Sequence, residues 1–200
     1  MMLGEGNKDV DNILHLINPG TSGAEIGVWK GDTSKKFLAS GVSLLYLIDP
    51  FSIKGYSIPI AANDTTFNLD KWLLRYSSMI GGMEDEDVER YYNMMYNKLI
   101  DEFVGVRNAV ICRMTSDQWF TFFLENKKPL LDWIYIDGDH SYTGVLNDLT
   151  RSLNVVKYTG LILGDDYTSK PGVQQAVNEF IDTHQFDISF YGKNQYSIRR

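Results

Sequence analysis

Two hundred residues are enough for one domain around a single core, and a composition of 44% hydrophobic and 22% charged residues excludes a disordered or fibrous chain. A formal net charge of -7 and a pI near 4.9 argue against nucleic acid or an anionic membrane as partner, since both attract clustered Lys and Arg. One cysteine, Cys112, excludes an internal disulfide, and its flank Ala109-Val110-Ile111 predicts a buried, inert thiol.

The segment Met1 to Asp9 lacks the basic and apolar blocks of a signal peptide, and no apolar run reaches membrane-spanning length, so the cytoplasm is the expected location. Beyond it, short apolar runs ending in Gly or Asp alternate with helical patterns, as in a parallel sheet covered by helices on both faces. Strands are predicted at 23–27, 44–48, 108–113, 131–137 and 160–164, with their carboxyl ends on one side. The first runs into Glu25-Ile26-Gly27-Val28-Trp29-Lys30-Gly31, followed by Asp32-Thr33-Ser34, which can open a helix. Gly27 allows a tight turn and close approach of a ligand, and Gly31 lets the following helix pack on the strand. The spacing Gly-x-Gly-x-x-Gly is absent, which weighs against a pyrophosphate site and a nicotinamide oxidoreductase. Asp49 ends the second run, about twenty residues beyond the turn, where an acid accepts both ribose hydroxyls. Phe51 either flanks a base or seals the core.

About sixty residues separate the second and third strands, too many for a plain connection. Helices are predicted at 68–79 and 85–104. The second follows the acidic run Glu84-Asp85-Glu86-Asp87, which suits a helix N-terminus, and carries Val88, Tyr91, Tyr92, Met95, Leu99 and Phe103 near helical spacing. Such a stripe reads first as core packing and second as a lid or dimer face. The expectation is one domain over 1–200 with a mostly helical insertion at about 52–107. After the third strand, Ser116 and Asp117 are candidates for the N-cap of a helix through Gln118-Trp119-Phe120.

The fourth strand ends in Ile136-Asp137-Gly138-Asp139-His140-Ser141-Tyr142, with Asp148 further along, and the fifth in Gly164-Asp165-Asp166-Tyr167. Carboxylates at adjacent strand ends make a hard oxygen cage suited to Mg²⁺ and able to hold a substrate hydroxyl. His140 titrates near neutral pH and suits general-base work. The plain alternative is that His140 and Asp139 brace the loop by hydrogen bonding. Tyr142 and Tyr167 are expected to line the pocket, and His15 and His184 to lie on solvated helices. Last, Phe186 to Tyr191 and Asn194 to Ile198, joined through Gly192-Lys193, predict an antiparallel hairpin.

Together these motifs closely resemble the methyltransferase domain 24 family of class I S-adenosylmethionine-dependent methyltransferases, related to macrolide sugar O-methyltransferases and distantly to catechol O-methyltransferase. The likeness covers residues 23–49 and 131–180 and hardly touches the insertion. It implies an α/β fold: a Rossmann-like, seven-stranded, mostly parallel sheet with a C-terminal antiparallel hairpin and helices on both faces. It further implies S-adenosylmethionine as cofactor. Glu25 would meet the cationic methionine moiety, Gly27 and Gly31 would form the turn beside it, Asp49 would bind the ribose, and Ser116 and Asp117 would reach the adenine. By the same resemblance Asp137, Asp165 and Asp166 are ligands of Mg²⁺ or another divalent cation, and His140 stands where catechol-type relatives carry their lysine base. Asp137 and His140 are then the catalytic pair for metal-assisted O-methylation of a small hydroxylated acceptor. The alternative is a catalytically inactive module that keeps the cofactor pocket and uses the insertion for protein association. Acceptor specificity is expected within 52–107, and a homo-oligomer is left open.

Overall fold

The computed structural model describes residues 9–52 and 69–200. The expectation for the extreme N-terminus, the start of the first insertion helix at residue 68 and the insertion's 53–68 segment lie outside the described residues. Seven strands form one sheet: β1 (Ser22–Ile26), β2 (Leu44–Ile48), β3 (Ala109–Cys112), β4 (Leu131–Ile136), β5 (Val156–Gly164), β6 (Asp187–Tyr191) and β7 (Gln195–Arg199). Their order is β3-β2-β1-β4-β5-β7-β6, with β1 to β5 parallel and β7 antiparallel to both β5 and β6. The closing hairpin and the parallel body agree with expectation. The chain winds outward from β1 to β3 and then returns to place β4 on the other side of β1. A sheet that reverses in this way opens a crevice at the carboxyl ends of the strands where the order switches.

Both sheet faces are buried because the strand sequences are apolar at successive positions, and the two-residue alternation sends neighbours to opposite cores. Tyr46 and Ile48 join Ala24, Ile134 and Ile136 under α4 (Ser116–Glu125), α5 (Tyr142–Ser152) and α6 (Pro171–His184). Leu45 and Leu47 join Trp133, Tyr135 and Leu163 under α1 (Asp32–Ala39) and α3 (Asp85–Phe103). Phe37 of α1 packs against Trp133 and Tyr135 at ring separations of 4.9 and 5.2 Å.

The insertion contains α2 (Leu69–Ile80) and α3. Asp85, Glu86 and Asp87 occupy the first turn of α3, and Val88, Tyr91, Tyr92, Met95, Leu99 and Phe103 are all buried, so the stripe serves as core. β5 begins at Val156 rather than 160. The register against β4 shifts between Leu131 and Trp133, and pairing resumes across that irregularity, which an apolar-run reading does not anticipate. Cys112 is buried, and burial pushes its thiol up to about 11. Among the described residues no helix is long and apolar enough to cross a membrane.

Candidate active site

The crevice between β1 and β4 gathers most of the acids singled out above. At its floor, Gly27 has φ 89°, and a Cβ there would lie 2.0 Å from the carbonyl oxygen of Asp137. The glycine therefore serves two ends: it turns the chain away from β1 and lets β4 close against it. Gly31, at φ 75°, ends the turn facing the insertion, where an added Cβ would lie 2.5 Å from Leu99 Cδ1 of α3. Its close neighbour is thus α3, rather than the strand expected beneath α1.

Glu25 is 1% exposed on β1, and its Oε2 accepts a short hydrogen bond from the Ser34 hydroxyl of α1. Burial raises its pKa well above the ordinary value; Ser34 opposes this, and Asp137 and Asp49 push it further up. Asp49, also buried, accepts from the backbone N–H groups of Val28 (3.1 Å) and Trp29 (2.9 Å) through Oδ2 and of Phe51 (2.7 Å) through Oδ1. It ties the glycine turn to the end of β2. Burial raises its pKa, opposed by these three N–H donors and by Arg113. Phe51 is fully buried and seals the core against Tyr96.

Beyond β4, His140 Nε2 lies 3.4 Å from Asp137 Oδ1 and 3.2 Å from Asp166 Oδ2. One ligand-type atom from each of Asp137, His140 and Asp166 falls within 4.8 Å of the others. Burial pushes Asp137 up to about 6, with Asp165 and Asp166 adding to the rise and His140 opposing it. For the imidazole, burial pulls the pKa down, but Asp137 and then Asp166 outweigh it and the net shift is upward. Asp166 adopts a left-handed φ of 64° and accepts from the Ser169 hydroxyl. Two carboxylates and an imidazole fit a divalent cation, and the nitrogen widens the range from Mg²⁺ toward transition metals.

Asp165 is not part of that group. Its Oδ2 faces the Tyr135 hydroxyl at 3.4 Å and its Oδ1 accepts the N–H of Asp166 at 2.7 Å. Asp139 accepts the Ser141 N–H at 2.9 Å, while His140 pairs with Asp137 and Asp166. The N-cap of α4 is Thr115, in a capping box with Gln118, so Ser116 is the first helical residue. Asp117 is held at the surface by Arg151 and Asn147. Tyr142 and Tyr167 bond Glu179 and Asn178 of α6. His15 and His184 are exposed. Sequence reasoning missed Ser34 as the partner of Glu25, having read Asp32-Thr33-Ser34 only as a helix start. Its place in the first turn of α1, on the buried side, was the available signal.

Residues 24–167 match the family model described as "Methyltransferase domain". A curated relative from Acanthamoeba polyphaga mimivirus, "Uncharacterized protein R132", is 25% identical over 161 residues, covering 78% of this chain. The chain spans 58% of that relative's length. Among solved structures, the O-methyltransferase NovP is similar at 21% identity and TM-score 0.55, over 96% of this chain and 76% of its own. The O-methyltransferase TomG from Streptomyces achromogenes, solved with SAM, matches at 10% identity and TM-score 0.61, over 98% and 81%. An O-methyltransferase from Bacillus cereus, solved with SAH, matches at 13% identity and TM-score 0.55, over 98% and 83%. At these identities the structures show the shared fold.

Proposed function

Since the chain belongs to the methyltransferase domain 24 family of class I S-adenosylmethionine-dependent methyltransferases, we propose that it moves the methyl group of S-adenosylmethionine to a hydroxyl of a small acceptor, assisted by a divalent cation. The observation that carries this reading is the meeting of Asp137, His140 and Asp166 one strand away from the buried Glu25 and the Asp49-pinned turn.

In this reading the cofactor lies across the carboxyl ends of β1 and β2. Glu25 faces its cationic methionine end, Asp49 the ribose, and the residues opening α4, Ser116 and Asp117, the adenine. A buried acidic floor favours a cationic ligand, because positive charge offsets the cost that burial imposes on Glu25 and Asp137. His140 takes the proton of the acceptor hydroxyl. The freed oxygen attacks the methyl carbon in line with the breaking carbon–sulfur bond, leaving S-adenosylhomocysteine. Asp137 and Asp166 orient His140 through their contacts at 3.4 and 3.2 Å. A cation held by Asp137 and Asp166, with Asp165 adjoining, would lower the acceptor hydroxyl's pKa and relieve the acidic pull on His140.

The test is transfer of labelled methyl from S-adenosylmethionine to a panel of hydroxylated small molecules, with and without EDTA. His140→Ala should lower kcat by about 10²- to 10⁴-fold at unchanged cofactor affinity, and chelation should abolish activity until Mg²⁺ is restored. Full activity in His140→Ala contradicts the base assignment. Undiminished activity in EDTA contradicts the cation alone.

A further inference from the structure

The turn that would hold the cofactor contains a bulky residue in a conformation bulky residues avoid. Trp29, between Gly27 and Gly31, has a left-handed φ of 47° and is 40% exposed, so burial does not hold its side chain. Two bonds hold the residue instead, one at its backbone and one at its side chain. Its backbone N–H donates to Asp49 Oδ2, and its indole N–H donates to the Tyr91 hydroxyl of α3 at 3.0 Å. The same hydroxyl donates to Met79 Sδ of α2 at 3.5 Å. Lys30 closes the group, with its ammonium 4.2 Å from the Trp29 ring centroid and 3.8 Å from Met79 Sδ.

A continuous chain of contacts thus runs from the end of β2 through Asp49, Trp29 and Tyr91 to α2. The other contacts between α3 and the crevice loops reinforce it. Arg113, beside β3, bonds both the Phe51 carbonyl and Asn93 of α3, and Ser52 donates to Glu89 at 2.6 Å. The helix that the sequence reading treated as core packing therefore also braces the cofactor turn from outside.

We propose that Tyr91 is a positioning residue that acts through Trp29: it fixes the cofactor turn to the helical insertion, so that filling the cofactor site steadies α2. This rests on the methyltransferase reading and adds a route by which the cofactor prepares the insertion for the acceptor. Tyr91 is 4% exposed and sits in an aromatic stripe, so Tyr91→Phe keeps the packing and removes only the hydroxyl.

The experiment measures S-adenosylhomocysteine affinity by calorimetry and amide hydrogen exchange of residues 69–80, for wild type, Tyr91→Phe, Trp29→Phe and the double variant. Wild type should bind and gain protection in 69–80. Tyr91→Phe should bind about three- to tenfold more weakly, as loss of the one hydrogen bond that reaches the cofactor turn implies, and, with the bond to Met79 also gone, lose that protection. The losses in the double variant should be less than additive, because both substitutions break the Trp29–Tyr91 bond. Wild-type binding with no change in 69–80, or additive losses in the double variant, overturns the proposal while leaving the methyltransferase reading intact. No binding by wild type overturns both.

Discussion

Asp148 is a carboxyl group with almost no access to water. It is 2% exposed on α5, and its Oδ1 has no hydrogen-bond partner among the described residues. Burial pushes its pKa up to about 7 from 3.8; Ser116 opposes the rise, Asp139 and Asp117 add to it, and Arg151 lowers it. Between those two values the folded chain holds a proton that the unfolded chain has released. Stability therefore falls as pH rises from about 4 to about 7, by on the order of 4 kcal/mol for this group. Asp148→Asn keeps the shape and removes the titration. Its melting temperature should match wild type near pH 4 and exceed it by a growing margin up to pH 8. A difference that does not change with pH contradicts the assignment. The sequence marked Asp148 only as an acid following the fourth strand. Its burial depends on how α5 packs beside the start of α4, and no local spacing encodes that.

At the scale of elements, the insertion answers a question that its sequence posed. The stripe from Val88 to Phe103 has helical spacing and faces the sheet, which periodicity made legible. Its second task was not legible, because the Trp29 to Tyr91 bond joins residues 62 positions apart through side-chain geometry alone. Leu99 shows both tasks together: it is 1% exposed, and its Cδ1 occupies the space that a side chain at Gly31 would need. Leu99→Ala should destabilise the fold by about 2 to 5 kcal/mol in urea unfolding, and should also loosen the cofactor turn. A loss below about 1 kcal/mol would mean that α3 does not press on that turn. The strands tell a simpler story. β2 was legible to its ends because five apolar residues run into Asp49, whereas β5 was read short because its first residues, Val156 to Thr159, alternate with polar ones.

For the whole molecule, the order β3-β2-β1-β4-β5-β7-β6 brings Glu25, Asp49, Asp137 and Asp166 to one edge, though they are scattered over more than half the chain. That convergence was legible from the repeated sign of an acid closing an apolar run, since parallel strands place such residues on the same side. Which carboxylates then face one another was not. Asp165 and Asp166 are adjacent in sequence, yet the left-handed backbone at Asp166 turns one toward His140 and leaves the other on Tyr135. The acidic edge is what makes a cationic nucleoside cofactor the ligand of choice, with Glu25 at its centre. The most direct measurement is calorimetric titration of wild type and Glu25→Ala with S-adenosylhomocysteine. Wild type should show one site per chain of micromolar affinity, weakened at least about tenfold by the substitution. No binding by wild type at millimolar ligand, or equal binding by Glu25→Ala, would contradict it.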